Sequence, residues 1–121
     1  MLRELNDRLK APSSWVDFDD TGFAVLEKRF PFAPRVTRMK WSEIEAISAF
    51  LCDCFSSHAF GFRFVRASGT SVCVDDTRVG WERFRERLFE RFPDLDTSVI
   101  ATVDAAFPGE AELRCWTKSS A

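Results

Sequence analysis

Cys52 and Cys54 stand one residue apart, and Cys73 and Cys115 bring the thiols to four. Structural zinc is held by four soft ligands drawn from cysteine pairs two to four residues apart. A spacing of one suits a strand, where both side chains share a face, and a reduced thiol inside a protein behaves as a small hydrophobe. The cysteines are therefore expected to be structural, with no metal, no cofactor and no required disulfide. His58 is the single histidine, and Cys54 and Ser56 lie close enough in sequence to make a nucleophile–base pair with it. Small polar residues there also read as a turn between strands, and the chain has no Gly-x-Ser-x-Gly elbow. Asp17, Asp19, Asp20, Asp75 and Asp76 offer carboxylates that could hold a cation or act as acid and base. Asp19-Asp20 sits in the turn sequence before Thr21-Gly22, and Asp75-Asp76-Thr77 precedes a helical pattern as candidate N-caps. Local backbone bonding is the role expected of them. No catalytic constellation emerges, and the chain is expected not to be an enzyme.

The segment Lys28-Arg29-Phe30-Pro31-Phe32-Ala33-Pro34-Arg35 combines cations with aromatics, and Arg38 and Lys40 follow closely. Arginine and aromatic residues are enriched at protein interfaces, and cations beside apolar rings also suit an anionic membrane. Lys28, Arg29, Phe30, Phe32, Arg35, Arg38 and Lys40 are therefore the candidate binding residues. A protein partner is the first reading and phospholipid the second. A competing reading folds Phe30 and Phe32 back over the open end of a sheet. Phe60, Phe62 and Phe64 alternate as an RNA-stacking sheet would, but few cations accompany them, so a core role is expected. The five glycines are scattered, and no phosphate-cradling loop is present.

These residues need elements to position them. A chain of 121 residues, 45% hydrophobic and 30% charged, can bury a core as a single domain without staples. Its 13 Phe and 4 Trp make aromatics the main core material. A net charge of -2 offers no general attraction to nucleic acid, and no nucleic-acid partner is expected. The segment Met1–Lys10 is charged throughout and no apolar run approaches a membrane span, so a cytoplasmic location is expected.

Leu2, Leu5 and Leu9 recur at helical spacing, and residues 1–10 read as a short helix ended by Pro12. Between residues 15 and 75 the period is two. Trp15–Phe18 and Phe23–Lys28 form a hairpin about Asp19–Gly22, and the prolines make Arg29–Arg35 a loop or edge segment. Val36–Trp41 is a third strand. Ile44–Cys54 is a fourth, with Ile44, Ala46, Phe50, Cys52 and Cys54 on one parity; the Ser42 and Glu45 capping-box pattern is the weaker, helical alternative. Strands at Phe60–Val65 and Thr70–Val74 follow. Trp81, Phe84, Leu88, Phe89 and Phe92 then mark an amphipathic helix over residues 79–91, stopped by Pro93. Residues 94–121 form a C-terminal extension. There Asp96-Thr97 could cap a helix to about Ala106 or the same residues could be a strand, and Glu112–Trp116 reads as a last strand or an ordered tail.

Antiparallel strands in series followed by one amphipathic helix resemble the pleckstrin-homology superfold, a bent sheet or split barrel closed by a C-terminal helix. The chain is similar to a group of small bacterial proteins of this PH-like pattern through Val16-Asp17-Phe18-Asp19-Asp20-Thr21-Gly22, Trp41-Ser42-Glu43-Ile44 and Asp75-Asp76. The resemblance covers residues 15–92. It implies an α+β fold and a non-catalytic module, since some such proteins stand near toxin systems as suspected immunity proteins. The cations of this chain fall around a later hairpin than those of phosphoinositide-binding members.

Overall fold

Asp19 accepts the amides of Thr21 and Gly22 through Oδ1, at 2.8 and 3.0 Å, and so turns β1 (Ser14–Phe18) into β2 (Gly22–Arg29). The computed structural model describes residues 14–29, 31–54, 57–106 and 109–118, with backbone alone at Arg29, Asp53, Cys54, Ser57 and His58. The expected N-terminal helix over residues 1–10 lies outside them.

Among the described residues the fold is α+β, with two open antiparallel sheets and two helices. β1, β2 and β3 (Phe32–Lys40) form the first sheet in that order. The second has the order β6-β5-β4-β7, built from β4 (Ile44–Cys54), β5 (Ser57–Arg66), β6 (Ser71–Asp75) and β7 (Ala111–Thr117). A single 3₁₀ turn, Trp41–Glu43, joins β3 to β4. The fourth strand is therefore a strand as expected, and the Ser42–Glu45 capping box does not form; Glu43 instead accepts the Lys40 amide at 3.2 Å.

Of the two readings of Arg29–Arg35, loop or edge segment, the edge holds from Phe32 onward: Arg29 already pairs with Phe32, and Pro34 lies inside β3, an edge of the first sheet. The Trp41 amide bonds the Thr21 carbonyl at 3.0 Å, which places Met39, Thr37 and Arg35 at the positions that bond β2. Pro34 falls on the alternate, outward set, so its missing N–H removes no ladder bond. In β4 the expected single face is split, with Ile44 parted from Phe50 and Cys52. A bulge between Ile44 and Ala46 turns Ile47, Ala49 and Leu51 to the core and Phe50 and Cys52 to the other face. Phe50 there lies across from Gly61, where an added Cβ would come within 2.8 Å of its ring. The glycine makes room for that aromatic cover.

α1 (Trp81–Arg91) closes the core. Trp81, Phe84 and Leu88 are buried, as the periodicity predicts. The Phe84 ring meets Phe23 of the first sheet at 5.2 Å and Phe64 of the second at 5.8 Å, and Phe23 and Phe64 meet each other at 4.9 Å. Phe60, Phe62 and Phe64 are core residues, and Trp81 stacks on Phe62 at 5.8 Å. Each such pair contributes about 0.5–1.5 kcal/mol beyond burial.

Asp75 and Asp76 do not cap this helix. Gly80 is the N-cap, at a φ of 91°, where a Cβ would lie 2.5 Å from the Val16 carbonyl oxygen. Asp75 instead accepts the Thr77 amide at 2.9 Å in the preceding turn. After Pro93, Asp96 caps α2 (Thr97–Asp104) by accepting the Ser98 and Val99 amides. β7 then returns beside β4. Its bulge at Cys115 sends the thiol into the core, 3.5 Å from the Ile47 carbonyl, and leaves the Cys115 carbonyl to take the Asp96 amide at 2.8 Å. No helix among the described residues is long and apolar enough to cross a membrane.

Candidate binding surface

Alternation along the first sheet sends Val16, Phe23, Val25 and Met39 inward and their neighbours outward. On the outward face the register aligns Trp15, Leu26 and Val36 in one row and Asp17, Ala24 and Arg38 in the next, with Lys40 opposite Gly22. Trp15 and Leu26 are half-buried, and Val36 is 47% exposed. The Lys28 ammonium sits 4.9 Å from the centre of the Trp15 ring. Lys28, Arg38 and Lys40 thus lie on the sheet that carries this apolar row. Alternation aside, the sequence gives no hint of this row, because it is assembled from three strands by register.

Lys28, Phe32, Arg35, Arg38 and Lys40 are all exposed. Phe32, at 70%, does not fold back over the sheet. Arg35 has the opposite parity from Arg38 and pairs with Glu27, which the Arg78 guanidinium already engages at 3.4 Å. Phe30 and the Arg29 side chain lie outside the described residues. Among the described residues none of Lys28, Arg35, Arg38 and Lys40 forms an ion pair.

One end of this region opens into a cleft of about 330 Å³, where Arg38 and Lys40 share the lining with Asp17, Asp19 and Glu43. The Arg66 guanidinium donates to Glu43 at 3.0 Å and holds its carboxyl below the usual range, helped by the Lys40 amide. The same Arg66 donates to the Arg38 carbonyl at 2.8 Å. With three carboxylates present, the cleft is not a cationic socket for a phosphate group.

A second cleft, about 350 Å³, lies between α1, α2 and the end of β5, with Asp76, Arg85 and Asp104 around Phe60 and Trp81. Burial pushes the Asp76 carboxyl up, and the charges of Asp75 and Asp104 add to that. Sequence reading misses this pairing because Asp76 and Asp104 are brought together only by the helices.

The three described thiols are dispersed. Cys115 is buried on the core side, whereas Cys52 and Cys73 lie on the outer face of the second sheet, on strands separated by β5. Burial pushes the Cys115 thiol up to about 11 and also raises Cys73. Among the described residues no cluster of three His, Cys, Asp or Glu side chains is placed to hold a metal ion. The His58 and Cys54 side chains are outside the described set. No protein-family model matches the chain, and neither a curated protein nor a solved structure shows a significant likeness to it.

Proposed function

We propose that the chain is a non-catalytic module that binds a protein partner of acidic surface through β3 and the outward face of the first sheet. The observation that carries this reading is the exposure of Phe32 and Val36 beside Lys28, Arg35, Arg38 and Lys40, cations that form no ion pair among the described residues. Exposed apolar side chains rimmed by unpaired charge are the composition of an interface. An immunity- or antitoxin-like role, in which the module occludes a partner's surface, is one concrete form of it. The PH-like reading of the fold draws support from six strands in series followed by α1; β7, added after both helices, is a departure from that pattern.

The test is recovery of partners from a lysate of the native host by the immobilised chain and by the folded triple variant Lys28→Glu, Arg38→Glu, Lys40→Glu. The expected result is a partner captured by the native chain and lost by the variant. Equal capture by both would remove this face as the site. Salt-sensitive sedimentation with vesicles rich in anionic phospholipid, in the absence of any protein, would replace the protein reading with a lipid one.

A further inference from the structure

β1 and β3 are the two edges of the first sheet. The β1 edge is closed: Val16 donates to the Val79 carbonyl at 2.9 Å, and Val79 donates to the Ser14 carbonyl at 3.1 Å. β3 differs. Its outward backbone groups belong to Pro34, Val36, Arg38 and Lys40, the set that does not bond β2. Two of these groups are occupied at one end, the Lys40 amide by Glu43 and the Arg38 carbonyl by Arg66. The Arg38 amide, both groups of Val36 and the Pro34 carbonyl bond no other described residue. The result is a short open ladder with a proline at one end and an arginine–glutamate closure at the other.

We propose that this edge accepts an extended acidic segment of a partner protein as an added antiparallel strand, in register with Pro34–Arg38. The proposal rests on the binding role stated above and specifies its mode. A strand laid there at the usual spacing of about 4.8 Å completes the four open backbone groups. Its side chains alternate between the two faces. On one face they lie beside Val36, Arg38 and Lys40, and on the other beside Arg35 and Thr37. Carboxylates therefore find cations on both faces, while an apolar residue can lie beside Val36, at the end of the Trp15–Leu26 row. Charge also selects against a second copy of this chain. β3 carries Arg35, Arg38 and Lys40 and no carboxylate, so two β3 strands paired about Val36 would set Arg35 opposite Thr37, Arg38 opposite Pro34 and Lys40 opposite Phe32, bringing two strands of like net charge together with no cation neutralised.

Amide hydrogen exchange of the full chain, with the synthetic heptapeptide Glu-Glu-Glu-Val-Glu-Glu-Glu as the probe, tests this. The peptide is expected to bind and to slow exchange at the Val36 and Arg38 amides. The same peptide with its three central amides N-methylated keeps every charge but loses the donors that would face β3, and is expected to bind roughly tenfold or more weakly. Equal affinity of the two peptides overturns strand addition and leaves the side-chain surface as the binder, so the broader role survives. Failure of the unmodified peptide to bind also overturns it, while capture by the native chain and not by the triple variant still decides the broader role separately. Slow exchange at Val36 and Arg38 in the free protein, together with a dimer in sedimentation, overturns it in favour of self-pairing.

Discussion

Trp81 is 7% exposed, stacks on Phe62 and stands 6.3 Å from both Phe60 and Phe84. Trp81→Ala removes a large ring from among three others, and the expected cost is about 3–5 kcal/mol. A urea melt would show it, and a loss under about 1 kcal/mol would mean that the helix docks through other residues. This burial is legible from spacing alone, because a helix positions its residues by local geometry. The Phe60–Phe64 stripe is legible from the two-residue alternation of a strand, which is equally local. Cys52 is not: its face depends on a bulge near Ile44, whose cause is the pairing with β5. Cys115 gives a second test at this scale. A thiol with a pKa of about 11 is thiolate in about one part in a thousand at pH 8, and only the thiolate reacts. Brief alkylation of the native protein, read by peptide mass spectrometry, should leave Cys115 unmodified and label it fully after denaturation. Rapid native labelling of Cys115 would mean that β7 opens readily.

Elements show where local signals end. The Asp96 cap is written in the sequence, yet helix and strand remain equal readings of Val99–Val103 until β7 is in place to receive the buried side chains of Ile100 and Val103. Asp75 and Asp76 carry the same signal and cap nothing, because the bond between β1 and Val79 holds the chain back until Gly80. Around Pro31 and Pro34 the loop and edge readings both stay open in the sequence, since nothing local distinguishes an edge proline from a loop proline. Hydrogen bonds from the Ser98 side chain, and then the Val99 amide, hold the Asp96 carboxyl below the usual range. A depressed carboxyl stabilises the fold above its unfolded pKa, and that contribution disappears as pH falls through the folded value. Asp96→Ala should therefore lower Tm at neutral pH, and the gap to the native chain should narrow steadily below about pH 4. A gap independent of pH down to 2 would show that the cap acts without its charge.

At the scale of the molecule, the division of the seven described strands into three and four is the feature least visible in the sequence. Periodicity assigns faces within a strand, but pairing is a nonlocal choice, and β7 reaches β4 only after two helices have intervened. The same nonlocality hides the open edge, because whether β3 has a neighbour is decided by every other strand. The two sheets share no ladder among the described residues and are joined in the core by Phe23, Trp41, Phe64 and Phe84. Phe84 touches rings from both sheets and is fully buried, so its contribution belongs to neither alone. A domain of this size has about 5–15 kcal/mol of total stability, and Phe84→Ala removes about 3–5 of it. If the sheets stand only together, that substitution should accelerate amide exchange by a similar factor at Val25 in β2 and at Phe62 in β5. Both sites should also unfold in one transition at a lower denaturant midpoint with the same slope. Protection kept at Phe62 but lost at Val25 would make the four-stranded sheet and its helices a unit stable by itself, with the three-stranded sheet docked on it.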